Sequence, residues 1–284
     1  MIIAIPLFQY NIPIIRPSFE YLIDHITKNH EIYFYNINDP KTITDTTDIV
    51  FIWNGSDTYK PYIELKKKVL SIGSRIIFCE HGWMPQKDTL QIDTNGINYN
   101  CSWRDFKIPE MDFAECESYG EEKILIPLQN ETDTQIINHS KRFKKFKGLI
   151  DFVLNLDIEI VIRKHPRFEI PKDIDLNKVS IDKSKNFSES IKKYKYVFLI
   201  NSTVGFECIE HNKDVYCFGD SLYNRNGLVN DCRDVDIKEL KNMVNKNNLV
   251  CKNKQDWFVQ FIKKRQFTQE NIENIDKILF KDVV

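Results

Sequence analysis

The sequence predicts an α/β protein of two Rossmann-like halves, residues 1–120 and 121–284, facing each other across a cleft. Three observations carry this. Short β-branched runs alternate with longer stretches of helical period, the pattern of a parallel sheet with helices on both faces. The rhythm breaks over residues 83–122, rich in Asp, Asn, Pro, Trp and Tyr, and then resumes. Polar residues gather at the carboxyl ends of the expected strands, where open α/β sheets bind ligands.

In the first half, "IIAIPLF" (2–8) reads as a buried strand. Arg16-Pro17-Ser18 opens a helix with Phe19, Leu22, Ile23 and Ile26 on one face, proline suiting the first turn. "EIYFYNI" (31–37) and "DIVFIWNG" (48–55) are strands, the second stopping at Asn-Gly. A helix follows over about Pro61–Leu70, then a strand at "RIIFCEHG" (75–82). In the second half, "KILIPLQ" (123–129) is a strand, and a helix spans about Thr134–Asn155 with a break near Lys144–Gly148. "IEIVIRKHP" (158–166) and "YVFLINST" (196–203) are strands; "VGFECIEHN" (204–212) is a short helix and "DVYCFGD" (214–220) a strand. Helices near 237–247, 256–264 and 269–280 close the chain and are free to pack back on the first half.

Forty Lys and Arg against 41 Asp and Glu leave a formal charge of -1, which argues against a globally basic nucleic-acid binder. With 42% hydrophobic residues, a packed core is expected. The seven cysteines (79, 101, 116, 208, 217, 232 and 251) form no CxxC pair. Cys79, Cys208 and Cys217 lie in apolar runs as small buried thiols, consistent with a reducing compartment. The N-terminus lacks the charge and cleavage site of a signal peptide and reads as a first core strand. No apolar stretch approaches bilayer length. A soluble, cytoplasmic protein is expected, still able to work at a membrane surface.

Two motifs suit a phosphate. "RKHPR" (163–167) places His165 just after a strand, beside Arg163 and Lys164; otherwise it is a basic surface turn. "NSTVGFE" (201–207) follows a strand and opens a helix, offering the Ser202 and Thr203 hydroxyls and unpaired N–H groups. Its bland alternative is an N-cap and tight turn, with Gly205 serving close packing. Glu207, one turn on, suits a ribose or merely a helix start. The dinucleotide glycine fingerprint and the Walker lysine loop are both missing, and no His/Asp spacing suits zinc. A nucleotide-sugar enzyme is favoured over an NAD enzyme. Glu80 and Asp133, each at an expected strand end and one in each half, are the carboxylates best placed to share nucleophile and acid/base roles. Asp93, before Asn95-Gly96, reads better as a turn residue.

The segments "FIWNG" (51–55), "EHGWMPQ" (80–86), "DTNGIN" (93–98), "IPLQNETDTQIINHS" (126–140), "RKHPR" and "NSTVGFECIEHNKDVYCFGDSLYNRNGLVND" (201–231) resemble the bacterial capsule polysaccharide synthesis proteins of the retaining β-Kdo glycosyltransferase group. They keep that family's order across much of residues 51–231. The chain departs from it at Cys208 and in "CIEHNKDV", where the family often has a small apolar residue and a GKPV-type segment.

The resemblance implies a GT-B arrangement, with donor CMP-β-Kdo bound mainly by the second half and no metal or other cofactor. It implies that His165, Ser202 and Thr203 contact the donor phosphate, with Asp133 as nucleophile and Glu80 as the acid/base or acceptor-activating group; Gln129, Lys164, Asn201 and Glu207, polar residues of the same strand ends, complete the expected donor site. Asp93 remains the alternative nucleophile. The acceptor is a glycan or glycolipid: a capsule glycolipid, a lipopolysaccharide core or a growing glycan. Contact with the inner membrane or a polysaccharide-assembly complex is left open. Two rivals stand beside this reading: an inverting transferase using CMP-sialic acid or another nucleotide sugar, and a non-catalytic glycan-binding relative.

Overall fold

The central β-branched and aromatic runs, such as "IVFIW" (49–53) and "YKYVFL" (194–199), become strands buried on both faces, as parallel sheets require. A computed structural model describes residues 1–7, 11, 13, 15–55, 59–112, 118–225, 227–246 and 251–280. The chain divides into two units, Met1–Phe106 with Phe261–Val284, and Lys107–Gln260.

The first unit carries strands β1 (Ile2–Pro6), β2 (Glu31–Tyr35), β3 (Ile49–Trp53), β4 (Arg75–His81) and β5 (Leu90–Asp93) in the order β2-β1-β3-β4-β5. Four run parallel, and β5 is antiparallel to β4. Strand periodicity divides the core. Ile49, Phe51 and Trp53 face helix α1 (Arg16–Ile26), whose Phe19, Leu22 and Ile26 are buried. Val50 and Ile52 face helix α2 (Lys60–Ser71) through Tyr62, Leu65 and Val69.

The C-terminal segment, Phe261 onward, groups with this unit and so packs back on the first half. Ile272, Ile275 and Leu279 join the α1-side core, so leaving the segment undocked would expose that apolar face. Arg75 donates to the Leu279 and Ile278 carbonyls at 2.7 and 3.0 Å, and His25 pairs with Asp276 at 3.0 Å.

The second unit holds β6 (Glu121–Pro127), β7 (Ile160–Arg163), β8 (Ser180–Ile181), β9 (Tyr194–Leu199), β10 (Asp214–Cys217) and β11 (Asn230–Asp231). All pair in parallel, in the order β11-β10-β9-β6-β7-β8. The order reverses between β6 and β9, a switch point of the kind that opens a ligand crevice. The interrupted helix expected over 134–155 is two helices, α3 (Thr134–His139) and α4 (Phe146–Val153). The break lies earlier than expected: Ser140 Oγ donates to the Phe143 carbonyl at 2.8 Å, and Glu131 accepts from the Phe146 amide at 2.7 Å. Helices α5 (Phe187–Lys193), α6 (Val204–Glu210), α7 (Ile237–Asn245) and α8 (Lys252–Lys263) follow, then α9 (Asp276–Leu279) after a 3-10 turn. The expected end of α7 at Asn247 lies outside the described residues, as do Cys116 and Asn226. The other six cysteines are buried and free. Among the described residues no helix is long and apolar enough to cross a membrane.

Candidate functional site

The switch point of the second unit gathers most of the expected residues. After β6 the chain turns at Asn130, whose side chain accepts from the Thr132 amide at 3.1 Å, and Asp133 then caps α3. Asp133 Oδ1 accepts from the Gln135 amide at 2.8 Å. That explains why a carboxylate follows the strand: helix starts leave N–H groups unpaired, and Asp satisfies one of them. Asp133 Oδ2 has no hydrogen bond among the described residues, so one oxygen orients the carboxylate and the other is available.

Asn201, after β9, is 7% exposed and turns inward. Its Nδ2 donates to the Gln135 carbonyl at 2.7 Å and lies 3.4 Å from the His139 carbonyl. Gln129 reaches Asn201 Oδ1 at 3.5 Å. These two amides tie α3 across the ends of β6 and β9, and Asn201 has both donors committed to the fold.

His165 follows β7. Its Nδ1 accepts from the Arg167 amide at 3.1 Å, and its ring lies 4.8 Å from that of Phe168. Burial holds its pKa below the ordinary histidine value, Arg167 adds to this, and the Asp133 charge opposes it. A neutral ring accepting at Nδ1 carries its proton on Nε2, which makes His165 a donor. The neighbours in "RKHPR" do other work. Arg163 turns inward to buried Asp182, to the Ser184 carbonyl at 3.0 Å and to Ser190 Oγ at 2.7 Å. Lys164, also expected in the donor set, pairs with exposed Glu169 at 2.6 Å.

Ser202 and Thr203 stand beside Asn201. Ser202 is 7% exposed, and its Oγ lies 3.4 Å from the Val204 amide. Thr203 makes no side-chain cap bond to α6. Helix α6, which these two residues precede, has only seven residues. Gly205 serves close packing: a Cβ there would sit 2.4 Å from the Tyr223 ring. Glu207 is half-buried, and its side chain has no hydrogen bond among the described residues. Burial, then the Glu210 charge, raises its pKa.

In the first unit, Glu80 Oε2 accepts from Asn54 at 3.2 Å and Oε1 from the His81 amide at 3.1 Å. Asn54 and Gly55 adopt φ of 61° and 64°. Gly55 passes so near Phe78 that an added Cβ would lie 2.4 Å from its ring, so both conformation and space select glycine. Tyr62 stands near: burial first, then the Glu80 charge, raises its pKa. Asp93 is 7% exposed and accepts from the Asn95 amide at 2.8 Å, the Ser102 amide at 2.9 Å and Ser102 Oγ at 2.7 Å. Three donors on one carboxylate make it a turn anchor.

Sequence reading missed a cavity of about 390 Å³ beside α3, lined by His139, Arg142, Phe218, Asp220, Arg233 and Asp236 among others. Arg142 lies 4.1 Å over the Phe152 ring and donates to the Val235 carbonyl, while Arg233 pairs with Asp220 and Asp231, each at 2.6 Å. Among the described residues no group of three His, Cys, Asp or Glu is placed to hold a metal ion.

Two α/β units with mostly parallel sheets, and polar residues on the carboxyl edges of both, define a GT-B-like protein of the Rossmann class. Residues 87–256 match the capsule polysaccharide biosynthesis protein family, and the chain belongs to that family. Protein FixF of Sinorhizobium fredii is 31% identical over 209 residues, 64% of this chain and 50% of FixF. The chain thus spans about half the length of this curated relative. Among solved structures, the fold is similar to the β-Kdo 2,7 transferase of Thermosulfurimonas dismutans KpsC (TM-score 0.57, 18% identity, 85% of this chain and 89% of that one). It is also similar to the β-Kdo 2,4 transferase of the same KpsC (TM-score 0.52, 15% identity, 84% and 85%).

Proposed function

We propose that the chain is a retaining glycosyltransferase that moves Kdo from CMP-β-Kdo to a hydroxyl of a glycan or glycolipid in bacterial surface polysaccharide synthesis. The observation that carries this reading is the convergence at one sheet edge of a carboxylate with a free oxygen, Asp133, and a neutral imidazole donor, His165, close enough for the Asp133 charge to act on the histidine. Family membership and the fold shared with two β-Kdo transferases support the choice of donor.

In this mechanism Asp133 Oδ2 attacks the anomeric carbon of Kdo as the bond to the CMP phosphate oxygen breaks, and CMP departs with that electron pair. His165 Nε2–H, Ser202 and Thr203 stabilise the charge on the leaving phosphate. An acceptor hydroxyl then attacks the glycosyl-enzyme, its proton passes to Glu80, and Asp133 is released as carboxylate. Two inversions give retention. Glu207 accepts from a ribose hydroxyl. Gln129 and Asn201 hold the framework, and Lys164 contributes long-range charge. The site of action is cytoplasmic, with peripheral contact to the inner membrane or an assembly complex.

One observation favours a second reading. The Asp133 carboxylate already caps α3, as it would if it only oriented groups in an inverting transferase using CMP-sialic acid. The test is intact-protein mass after brief exposure to CMP-Kdo without acceptor, beside CMP-sialic acid and UDP-sugar controls. A Kdo-sized adduct that Asp133→Ala lacks is the expected result. CMP release only when acceptor is present, with an inverted product, would replace this mechanism by the second.

A further inference from the structure

Tyr223 is wholly buried and reaches the backbone of Ser202. Its hydroxyl donates to the Ser202 carbonyl at 2.6 Å, across 21 residues of sequence. The same carbonyl accepts from the Gly205 amide at 3.0 Å, so both of its lone pairs are engaged. Because the peptide unit is planar, holding that carbonyl orients the Ser202–Thr203 peptide plane, which carries the Cα atoms of both residues.

The tyrosine is itself held firmly. Its ring occupies the space left by the missing side chain at Gly205, where a Cβ would fall 2.4 Å from Cζ and 2.6 Å from the hydroxyl oxygen. Phe206 packs edge-on against it at 5.1 Å. Its loop is anchored on the far side, where Asn224 Nδ2 donates to the Gly219 carbonyl and to Asp231, both at 3.2 Å. Burial pushes the phenol pKa well above its ordinary value, so the group stays a donor at any working pH.

We propose that Tyr223 is a positioning residue that presents the Ser202 and Thr203 hydroxyls to the phosphate of a nucleotide. The inference rests on the reading of those two residues as phosphate ligands. Gly205 is glycine because this tyrosine must pass, and the segment 221–225 supports the strand-end loop from below.

The test compares CMP with cytidine, which lacks the phosphate, by calorimetry on the wild type and Tyr223→Phe. The variant keeps the ring and removes one hydroxyl. CMP affinity should fall roughly five- to tenfold while cytidine affinity stays close to wild type, and the lost buried hydrogen bond should lower the thermal midpoint by only about 2–4 °C. In a Thr203→Val background the same change should cost much less, because the two act in series. CMP binding that Tyr223→Phe leaves intact, or equal losses for CMP and cytidine, overturns the inference alone. Failure of the wild type to bind CMP overturns the nucleotide reading, and the inference with it.

Discussion

Asp133 and Asn201 hold one residue from its two ends. The Gln135 amide donates to Asp133 Oδ1 at 2.8 Å, and the Gln135 carbonyl accepts from Asn201 Nδ2 at 2.7 Å. The candidate nucleophile on one strand end is thus located by an asparagine on the neighbouring one. Asn201→Ala should remove a donor from the Gln135 carbonyl, the His139 carbonyl keeping the Asp220 amide, and cost about 0.5–1.5 kcal/mol in chemical denaturation. It should also lower turnover more than CMP affinity.

Capping and chemistry separate at Asp133 itself. Asparagine caps a helix about as well as aspartate, so Asp133→Asn should change stability by less than about 0.5 kcal/mol. Its carboxamide is no nucleophile, and transfer should fall to background. Near-normal turnover by Asp133→Asn would reduce Asp133 to a cap.

The three basic residues of "RKHPR" before the final arginine should respond quite differently. Arg163→Ala leaves the buried Asp182 carboxylate without its cation and should cost about 3–5 kcal/mol. Lys164→Ala should change stability by less than about 0.5 kcal/mol, its partner being exposed. Burial alone would raise the Asp182 pKa, but hydrogen bonds from Ser190, Ser184 and Arg163 outweigh it and bring it to about 2. A depressed folded value means that this contribution is complete above the unfolded carboxylate pKa of about 4 and is lost as pH falls towards 2. Acid melts of wild type and Asp182→Asn should therefore converge at low pH.

His165 has a depressed value too, so its neutral form persists into mildly acidic solution. Its contribution to stability is present above the ordinary histidine pKa and is lost as pH falls through the folded value. CMP affinity should then be flat between about pH 7 and 8, where a histidine of raised pKa would be losing its charge. An NMR titration of the His165 ring, beside CMP binding across that range, checks both statements. His165→Ala should weaken CMP binding at every pH in it.

Strand ends were legible in the sequence because β-branched runs stop abruptly at Asn, Gly, His or Gln, as at Asn54-Gly55 and Gln129. The Asp93 turn was legible for the same local reason. Side-chain direction was not. Nothing in "RKHPR" tells that Arg163 faces Asp182, 19 residues away, while His165 packs on the Phe168 ring. Nothing in "NSTVGFE" tells that the Asn201 side chain reaches Gln135 and His139, more than 60 residues upstream. The cavity beside α3 was invisible for a similar reason: its walls come from residues 139–142, 218–220 and 233–236, which only the parallel pairing of the strands brings together.

The docking of Ile272, Ile275 and Leu279 into the α1-side core has a consequence for biosynthesis. The second unit is in effect an insertion in the first: all of its sheet has left the ribosome while the first unit still lacks part of its core. A chain halted near residue 260 should therefore expose a half-finished apolar face beside a completed neighbour, and should recruit chaperones until translation resumes.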